Sequence, residues 1–315
     1  MRLSRFRGDD AFKLVAAALA ASVLVILLLM GYTLLRSSVP VLERFGLYFF
    51  TGTKWNSAAG HEIYGALPYM LGTLVTSAIA LIIGVPISLG IAIFLSEMSP
   101  RRIRIPISNL VELLAAVPSV IYGLWGFFVF RFFLADYIEA PLSAYLGWIP
   151  VFSGPVLGVD VLAAGCILSI MIIPTVSSVS REVISAVPNS VREGAYSIGA
   201  TRWEVTRNWV LGYARSGLFG AVILGLGRAV GETIAVSMVI GNAVGPQALP
   251  TSLLKPGQTM SSLILNLFFE ATPGTYEFSA ILGVGLFLMI LAFSINILAR
   301  LMVTRVLKVK GGAVE

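Results

Sequence analysis

Residues 216–243 read SGLFGAVILGLGRAVGETIAVSMVIGNA, an apolar stretch that carries two opposite charges, Arg228 and Glu232. A helix of about 20 apolar residues crosses a bilayer, so this stretch is long enough to span one. A spacing of four residues places both charged side chains on one face of such a helix. Because an ionisable group inside a membrane normally turns toward protein or an aqueous pathway, this face is predicted to line something polar.

The residues leave two interpretations of this pair open. Arg228 and Glu232 either hold helices together as an ion pair or take part directly in transport. Gly227 and Gly231 flank Arg228 with a spacing that permits close helix approach, so they are predicted to lie at a helix seam. This glycine spacing is common in membrane helices and does not decide between the two interpretations.

The composition predicts an all-α integral membrane protein. Of the 315 residues, 57% are hydrophobic and 12% are charged, with a mean hydropathy of +0.90, whereas soluble domains carry about 25% charged residues. The net charge of +6 comes from basic residues at the ends of apolar segments, not from a stripe interleaved with aromatics, which argues against nucleic acid as a partner. Cys166 is the only cysteine and His61 the only histidine, and neither has partners at metal-ligand spacing, so no metal site is predicted.

Six transmembrane helices are predicted from the long apolar runs. They cover residues 12–35, 67–95, 107–134, 159–179, 216–243 and 278–303. Pro86 and Pro118 lie inside the second and third runs and are predicted to kink those helices.

Basic residues predict the orientation. They precede the first span, follow the second, fill the fourth connection and close the chain: Arg2, Arg5, Arg7 and Lys13, then Arg101, Arg102 and Arg104, then Arg181, Arg192, Arg202, Arg207 and Arg215, and finally Arg300, Arg305, Lys308 and Lys310. The alternate connections are poor in basic residues, so the positive-inside rule places both termini in the cytoplasm.

The fourth connection, residues 181–215, is predicted to form two short helices joined at Gly199. Val191, Ala195 and Ile198 recur at helical spacing in the first, and Trp203 and Trp209 give the second an apolar side. This leaves apolar surface for a cytoplasmic partner. The alternative is a helix pair that rests on membrane lipid with its arginines facing phosphates.

This connection resembles the cytoplasmic coupling motif of ABC-importer permeases. Glu193-Gly194-Ala195 followed by Gly199 matches the Glu-Ala-Ala and Gly positions, and an apolar end follows at Leu211. Gly194 replaces the middle Ala of the family, and Gly212 stands where the family usually has Pro. The resemblance assigns ATPase coupling to six residues: Glu193, Gly194, Ala195, Gly199, Trp203 and Leu211.

A longer resemblance narrows the family. Residues 214–236 resemble the phosphate-importer permeases, and residues 55–56, 65–68, 72–77, 85–86 and 90–97 resemble their PstC-type subunits rather than the paralogous PstA type. The resemblance implies a type I ABC importer (MetI-like) permease fold, with one transmembrane permease domain over residues 1–315. In this domain residues 12–35 form the first helix, 67–303 the rest of the six-helix core and 181–215 the coupling segment. The implied partners are a PstA-type permease, a PstB-type ATPase dimer, a PstS-type extracytoplasmic phosphate-binding protein, inorganic phosphate and membrane lipid.

The chemistry of the pair fits this implied function. The planar guanidinium of Arg228 can offer two N–H groups to one phosphate, and Glu232 can hold it when phosphate is absent, so their contact is expected to loosen in one of two alternating conformations. The sequence contains no G-x-x-x-x-G-K-[ST] motif, so no cofactor is expected in this chain and ATP and Mg²⁺ are expected on the partner ATPase. The chain is therefore predicted to be a non-catalytic transport subunit.

Other readings of the sequence stay open. A lone arginine does not select among tetrahedral anions, so the substrate can instead be molybdate or sulfate. Glu232 as a proton site would make the chain an ion-coupled secondary transporter, although no inverted repeat is visible. Among the remaining charges, Glu97 and Glu112 are expected to be solvated and to pair with Arg101 or Arg104, and an acidic outer connection with Asp136, Glu139 and Asp160 is expected to face a binding protein or repel anions.

Overall fold

The computed structural model describes residues 5–305, with side chains described for residues 10–302. Among these residues, six helical runs are long and apolar enough to cross a membrane: Asp10–Phe45, Leu67–Met98, Ser119–Leu146, Val161–Ser185, Arg202–Gly231 and Tyr276–Met302. The predicted number of spans is confirmed. Arg2, Lys308 and Lys310, which contribute to the predicted orientation, lie outside the described residues, and the cytoplasmic position of the termini stays a prediction.

The elements follow one another in two halves. The first half contains α1 (Arg5–Phe45), α2 (Tyr48–Thr51), strands β1 (Trp55–Asn56) and β2 (Ile63–Tyr64), α3 (Leu67–Ile93) with a π-helical end (Phe94–Met98), α4 (Arg101–Ala116), α5 (Ser119–Trp125), α6 (Arg131–Leu134) and α7 (Ala140–Leu146). The second half contains α8 (Val161–Ser185), α9 (Asn189–Ser197), α10 (Arg202–Glu204), α11 (Leu211–Gly231), α12 (Ile234–Val239), α13 (Met260–Leu267) and α14 (Tyr276–Arg305). The predicted all-α fold thus has one exception, the short antiparallel β1–β2 hairpin.

The fourth span, α8, is the centre of the molecule. Most of its residues are buried, and α3 lies along it, with α11 packed against both helices. Glycines bring the helices together: a Cβ added at Gly84 would lie 2.8 Å from Ile172 Cγ1, and one at Gly165 would lie 2.5 Å from Ile79 Cγ2. Close approach of this kind suits membrane helices, whose association depends on van der Waals packing rather than on exclusion of water.

The first span lies at the periphery. Helix α1 packs mainly against α14, and most of its apolar side chains stay exposed. Large apolar side chains exposed along a membrane span face lipid or another subunit, since there is no water to avoid in the hydrocarbon core.

The third span differs from its predicted position. Helix α4 ends at Ala116, Val117 is extended with φ −67° and ψ 125°, and α5 begins immediately after Pro118. The residue before a proline is sterically disfavoured in helical geometry, so Pro118 ends one helix and starts another instead of kinking a single one. The span therefore covers Ser119–Leu146 rather than residues 107–134, and α4 is a separate helix that precedes it.

The fifth span also differs. It begins at Arg202 and ends at Gly231, because Glu232 is extended with φ −68° and ψ 131° and residues 234–239 form the separate helix α12. Glycine is a weak helix former, which favours an end at Gly231. The Thr233 hydroxyl donates to the Gly231 carbonyl at 3.1 Å and so replaces the backbone hydrogen bond that a continuing helix would give this carbonyl. The continuous helix predicted over residues 216–243 is wrong in this half.

Candidate functional site

The first candidate group is Arg228, in the last turn of α11. Its side chain is partly buried, and Nη1 donates to the Thr175 hydroxyl of α8 at 3.0 Å. Thr175 follows Pro174 in the middle part of α8, so the contact lies well inside the span. A guanidinium held by a neutral hydroxyl keeps its full positive charge and further N–H donors for another group.

Glu232 does not share a helical face with Arg228, which overturns the geometry predicted from their spacing. The helix ends between them, and Glu232 Oε1 instead accepts from the Ala235 backbone N–H at 3.4 Å, at the start of α12. Among the residues with described side chains, the ion pairs are Arg44–Glu62, Arg181–Glu112 and Arg192–Glu97. Arg228 and Glu232 therefore form no salt bridge in this conformation.

The two predicted seam glycines are not in contact with another helix of the described chain. A Cβ added at Gly227 or Gly231 would meet no atom within 4 Å, whereas one at Gly225 would lie 2.5 Å from Val176 Cγ2. The packing of the described chain thus requires a glycine at position 225 and leaves the opposite side of α11 open.

The predicted coupling segment folds as two helices joined at Gly199. Helix α9 ends at Ser197, Gly199 has φ +83°, and α10 starts with a capping box in which Thr201 and Glu204 bond each other's backbone groups. Left-handed backbone is strained for residues other than glycine, which explains the residue type at 199. The predicted junction at Gly199 is confirmed, but only α9 is a separate short helix, because α10 continues into the fifth span, Arg202–Gly231.

The side chains of this segment divide into an inner and an outer set. Ala195 is buried with Val205 and Val210, and Leu211 packs against that cluster. Glu193 and Gly194 are exposed, as is Trp203 at 52%. Ile198, at 72% exposure, points outward, so the helical spacing that groups it with Ala195 is misleading because α9 has already ended there. The exposed apolar side chains of this segment include Tyr196, Ile198 and Trp203.

One contact in this region is not predicted from the sequence. Arg192 of α9 pairs with Glu97 at 2.7 Å, and both side chains are largely buried. Glu97 therefore does not pair with Arg101 or Arg104 as expected, and Arg104 instead donates to the carbonyls of Ser96 and Ser99. No local sequence pattern indicates this pair, because 95 residues separate its two partners.

The acidic residues of the second outer connection are not a surface patch. Asp136 is exposed, but Glu139 and Asp160 are buried, with Glu139 Oε2 accepting from Gly158 N at 2.9 Å and Asp160 Oδ1 from Ala163 N at 2.8 Å. Burial and then the neighbouring Glu139 carboxyl raise the pKa of Asp160 to about 8, against the opposing effect of the Ala163 bond. Glu139 therefore ties the third span to the residues just before the fourth, whereas Asp160 caps the fourth span itself.

Possible metal ligands do not gather anywhere in the part of the chain that the structure describes. Among residues 10–302, no three His, Cys, Asp or Glu side chains lie close enough together to hold an ion. The described spans instead contain partly buried cations, among them Arg228 and Arg131, and the coupling segment presents exposed apolar side chains.

The chain is similar to known transport proteins over most of its length. Residues 84–308 match the family described as "Binding-protein-dependent transport system inner membrane component". The chain is 46% identical over 309 residues to the phosphate transport system permease protein PstC of Xylella fastidiosa (strain Temecula1), covering 97% of this chain and 93% of that protein. It is 44% identical over 307 residues to the PstC protein of Haemophilus influenzae, covering 96% and 95%.

Solved structures show the same fold. A bacterial alginate ABC transporter in complex with its periplasmic protein aligns with a TM-score of 0.61 at 17% identity, covering 98% of this chain and 99% of that chain. The MetNI methionine ABC transporter aligns with a TM-score of 0.52 at 18% identity, covering 77% and 94%. The predicted ABC importer permease fold is confirmed, and the protein is a multi-pass inner-membrane transport component. The chain belongs to the family of binding-protein-dependent transport system inner membrane components and, within it, to the PstC permeases.

Proposed function

We propose that this chain forms one half of the translocation pathway of an ATP-driven importer of inorganic phosphate. The observation that carries the proposal is the state of Arg228: a guanidinium inside the membrane spans, bonded to the neutral Thr175 hydroxyl, with no carboxylate within salt-bridge distance among the described residues. An oxyanion that leaves water needs positive charge and several donors, and a planar guanidinium supplies both. The names of the PstC relatives support phosphate as that oxyanion.

The remaining parts of the importer lie on other chains in this proposal. A PstA-type permease completes the pathway and packs on the open side of α11 at Gly227 and Gly231. A PstB-type ATPase dimer binds ATP and Mg²⁺ and rests on the exposed apolar side chains of Tyr196, Ile198 and Trp203, and a PstS-type binding protein delivers phosphate from outside. Glu232 then has a part in alternating access: it lies apart from Arg228 here and pairs with it in another state, when phosphate has left.

The test is uptake of labelled phosphate by cells that express this chain with its partners, at matched membrane abundance. Arg228→Gln is expected to abolish uptake while the ATPase still co-purifies, and Arg228→Lys is expected to restore little because a single ammonium cannot form the fork. Arg36→Gln, at an exposed position of α1, is the matched control and should transport normally. Normal uptake by Arg228→Gln would contradict the proposed site.

The same assay separates the two alternatives. One arginine does not distinguish tetrahedral anions, so the substrate has to be identified by competition. If molybdate or sulfate displaces phosphate from uptake, that anion is the substrate instead. Uptake that survives ATP depletion while the proton gradient is maintained would indicate an ion-coupled transporter with Glu232 as the proton site.

A further inference from the structure

Glu97 occupies the end of the second span, where that span meets the coupling segment. Helix α3 continues through the π-helical turn Phe94–Met98 without a break. Glu97 is the only charged residue of this long helix. Its side chain is only 10% exposed. A carboxylate held away from water at a helix end needs a specific partner.

Arg192 of α9 is that partner, and it uses its whole guanidinium. Nη2 lies 2.7 Å from Glu97 Oε1, and Nε donates to both carboxylate oxygens at 3.3 and 3.4 Å. The same side chain donates to the carbonyls of Val187 at 2.5 Å and Ile184 at 3.0 Å, at the end of α8. One residue of the coupling segment therefore joins α9 to the ends of both α3 and α8.

The second helix of the coupling segment holds the same residue. Arg202, at the start of α10, donates through Nη2 to the backbone carbonyl of Glu97. The helices on either side of Gly199 are thus both bound to Glu97. Helix α9 binds its carboxylate, and α10 binds its backbone carbonyl. A displacement of either helix acts on the end of α3.

Helix α3 leads from this end to the polar group inside the membrane. It packs along α8, which carries Thr175, and against α11, which carries Arg228. Tightly packed helices move as units rather than deforming continuously, so a shift at Glu97 is delivered along the helix.

We infer that Glu97 and Arg192 are the positioning pair through which movement of the coupling segment reaches the translocation pathway. This inference rests on the proposed function as an ATP-driven importer, and it adds the residues that transmit movement of the ATPase to the membrane helices. The pair touches neither ATP nor the transported anion. It acts by keeping α9 fastened to α3 and α8 while the partner ATPase closes and opens.

The experiment uses the complete transporter in proteoliposomes and measures phosphate moved per ATP hydrolysed, together with the stimulation of hydrolysis by the loaded binding protein. The variants are Glu97→Gln, Arg192→Gln, their combination and Arg192→Lys. Glu112→Gln is the matched control, because Glu112 also pairs with an arginine, Arg181 at 3.0 Å, but is 58% exposed and bonds no residue of α9 or α10. Each single variant is expected to lower phosphate moved per ATP about tenfold, the effect of losing one charged hydrogen-bonded contact.

Two results distinguish a coupling role from a merely structural one. The combined variant is expected to be no worse than Arg192→Gln alone, since that substitution already removes the contact with Glu97, and Glu112→Gln is expected to keep the wild-type ratio. If Glu97→Gln and Arg192→Lys reduce only the amount of assembled transporter and leave the ratio unchanged, the pair is a structural clamp and the inference is overturned.

Failure of the proposed substrate gives a different pattern. A wild-type complex whose hydrolysis responds to the binding protein but which accumulates no phosphate contradicts phosphate as the cargo. In that case stimulation of hydrolysis still decides the inference, because loss of the stimulation in Glu97→Gln supports it and an unchanged stimulation overturns it.

Discussion

Arg228 Nη1 donates a hydrogen bond of 3.0 Å to Thr175 Oγ1, which joins the last turn of α11 to the middle of α8. Thr175→Val keeps the shape of the side chain and removes the acceptor. Leaving a charged donor without its partner costs roughly 1–3 kcal/mol, so phosphate uptake is expected to fall about tenfold. Uptake kinetics at matched abundance measure this effect, and Thr175→Ser, which keeps the hydroxyl, should retain most of the activity. Full uptake by Thr175→Val, together with a loss in Thr175→Ser, would show that the methyl group matters and the hydroxyl does not.

Two glycines one half-turn apart on α11 are expected to respond oppositely to alanine. A Cβ at Gly225 would lie 2.5 Å from Val176 Cγ2, so Gly225→Ala is expected to destabilise the chain by roughly 1–3 kcal/mol through overpacking. A Cβ at Gly227 meets nothing within 4 Å, so Gly227→Ala should be neutral or slightly stabilising in the isolated chain. Thermal unfolding in detergent measures both effects. Loss of the partner permease from the Gly227→Ala complex alone would support the predicted seam.

The buried carboxyl of Asp160 predicts a pH-dependent stability. The pKa of Asp160 rises from 3.8 to about 8 on folding, so between these values the folded chain holds a proton that the unfolded chain releases. Stability from this group is complete below about pH 4 and is lost as the pH rises through about 8. Unfolding midpoints measured at pH 6 and pH 9 should therefore show a lower value at the higher pH.

Asp160→Asn tests the origin of that slope. The amide oxygen can still accept from Ala163 N–H as a helix cap, and the amide nitrogen can donate to Glu139 without a titrating proton. The variant is expected to unfold at a temperature that depends less on pH. Asp136→Asn, at an exposed position, should leave the slope unchanged. A slope that persists in Asp160→Asn would place its cause elsewhere in the chain.

Gly199 and Gly194 give a matched pair in the coupling segment. Gly199 has φ +83°, so Gly199→Ala is expected to cost roughly 1–2 kcal/mol of local strain and to loosen the junction of α9 and α10. Gly194 lies within α9 with open space around it, so Gly194→Ala should be tolerated. Retention of the ATPase during purification measures both effects. The prediction is wrong if Gly194→Ala loses the ATPase as readily as Gly199→Ala.

The sequence predicts the spans well and their interruptions poorly. Apolar length identifies six crossings because the membrane demands about 20 apolar residues wherever a helix spans it. The end of α11 at Gly231 is not predicted, because residues 232–243 are as apolar as those of a membrane-spanning helix. Only local hydrogen bonds, such as the one from Thr233 to Gly231, show that the helix stops. The spacing argument for Arg228 and Glu232 fails for that reason, although the importance of Arg228 as an intramembrane cation does not depend on it.

Polar contacts between residues that are distant in sequence cannot be predicted from local sequence patterns. Arg192 and Glu97 are separated by 95 residues, and Glu97 has closer basic neighbours in sequence, so proximity along the chain favours the wrong partner. Glu139 and Asp160 look like a solvated acidic loop because composition does not reveal which side chains the third and fourth spans enclose. In contrast, Gly199 is predictable because its turn depends on its own backbone.

Helix α11 ends within the bilayer, where its last backbone carbonyls need hydrogen-bond donors. The carbonyls of Ala229, Val230 and Gly231 accept from Glu232 N, the Ser261 hydroxyl and the Thr233 hydroxyl. Hydrocarbon cannot satisfy a backbone carbonyl, and a helix that stops at depth normally needs water or protein to do so. Here hydrogen bonds from residues of the same chain replace those of the missing turn, so the helix can end within the span without water at these three carbonyls.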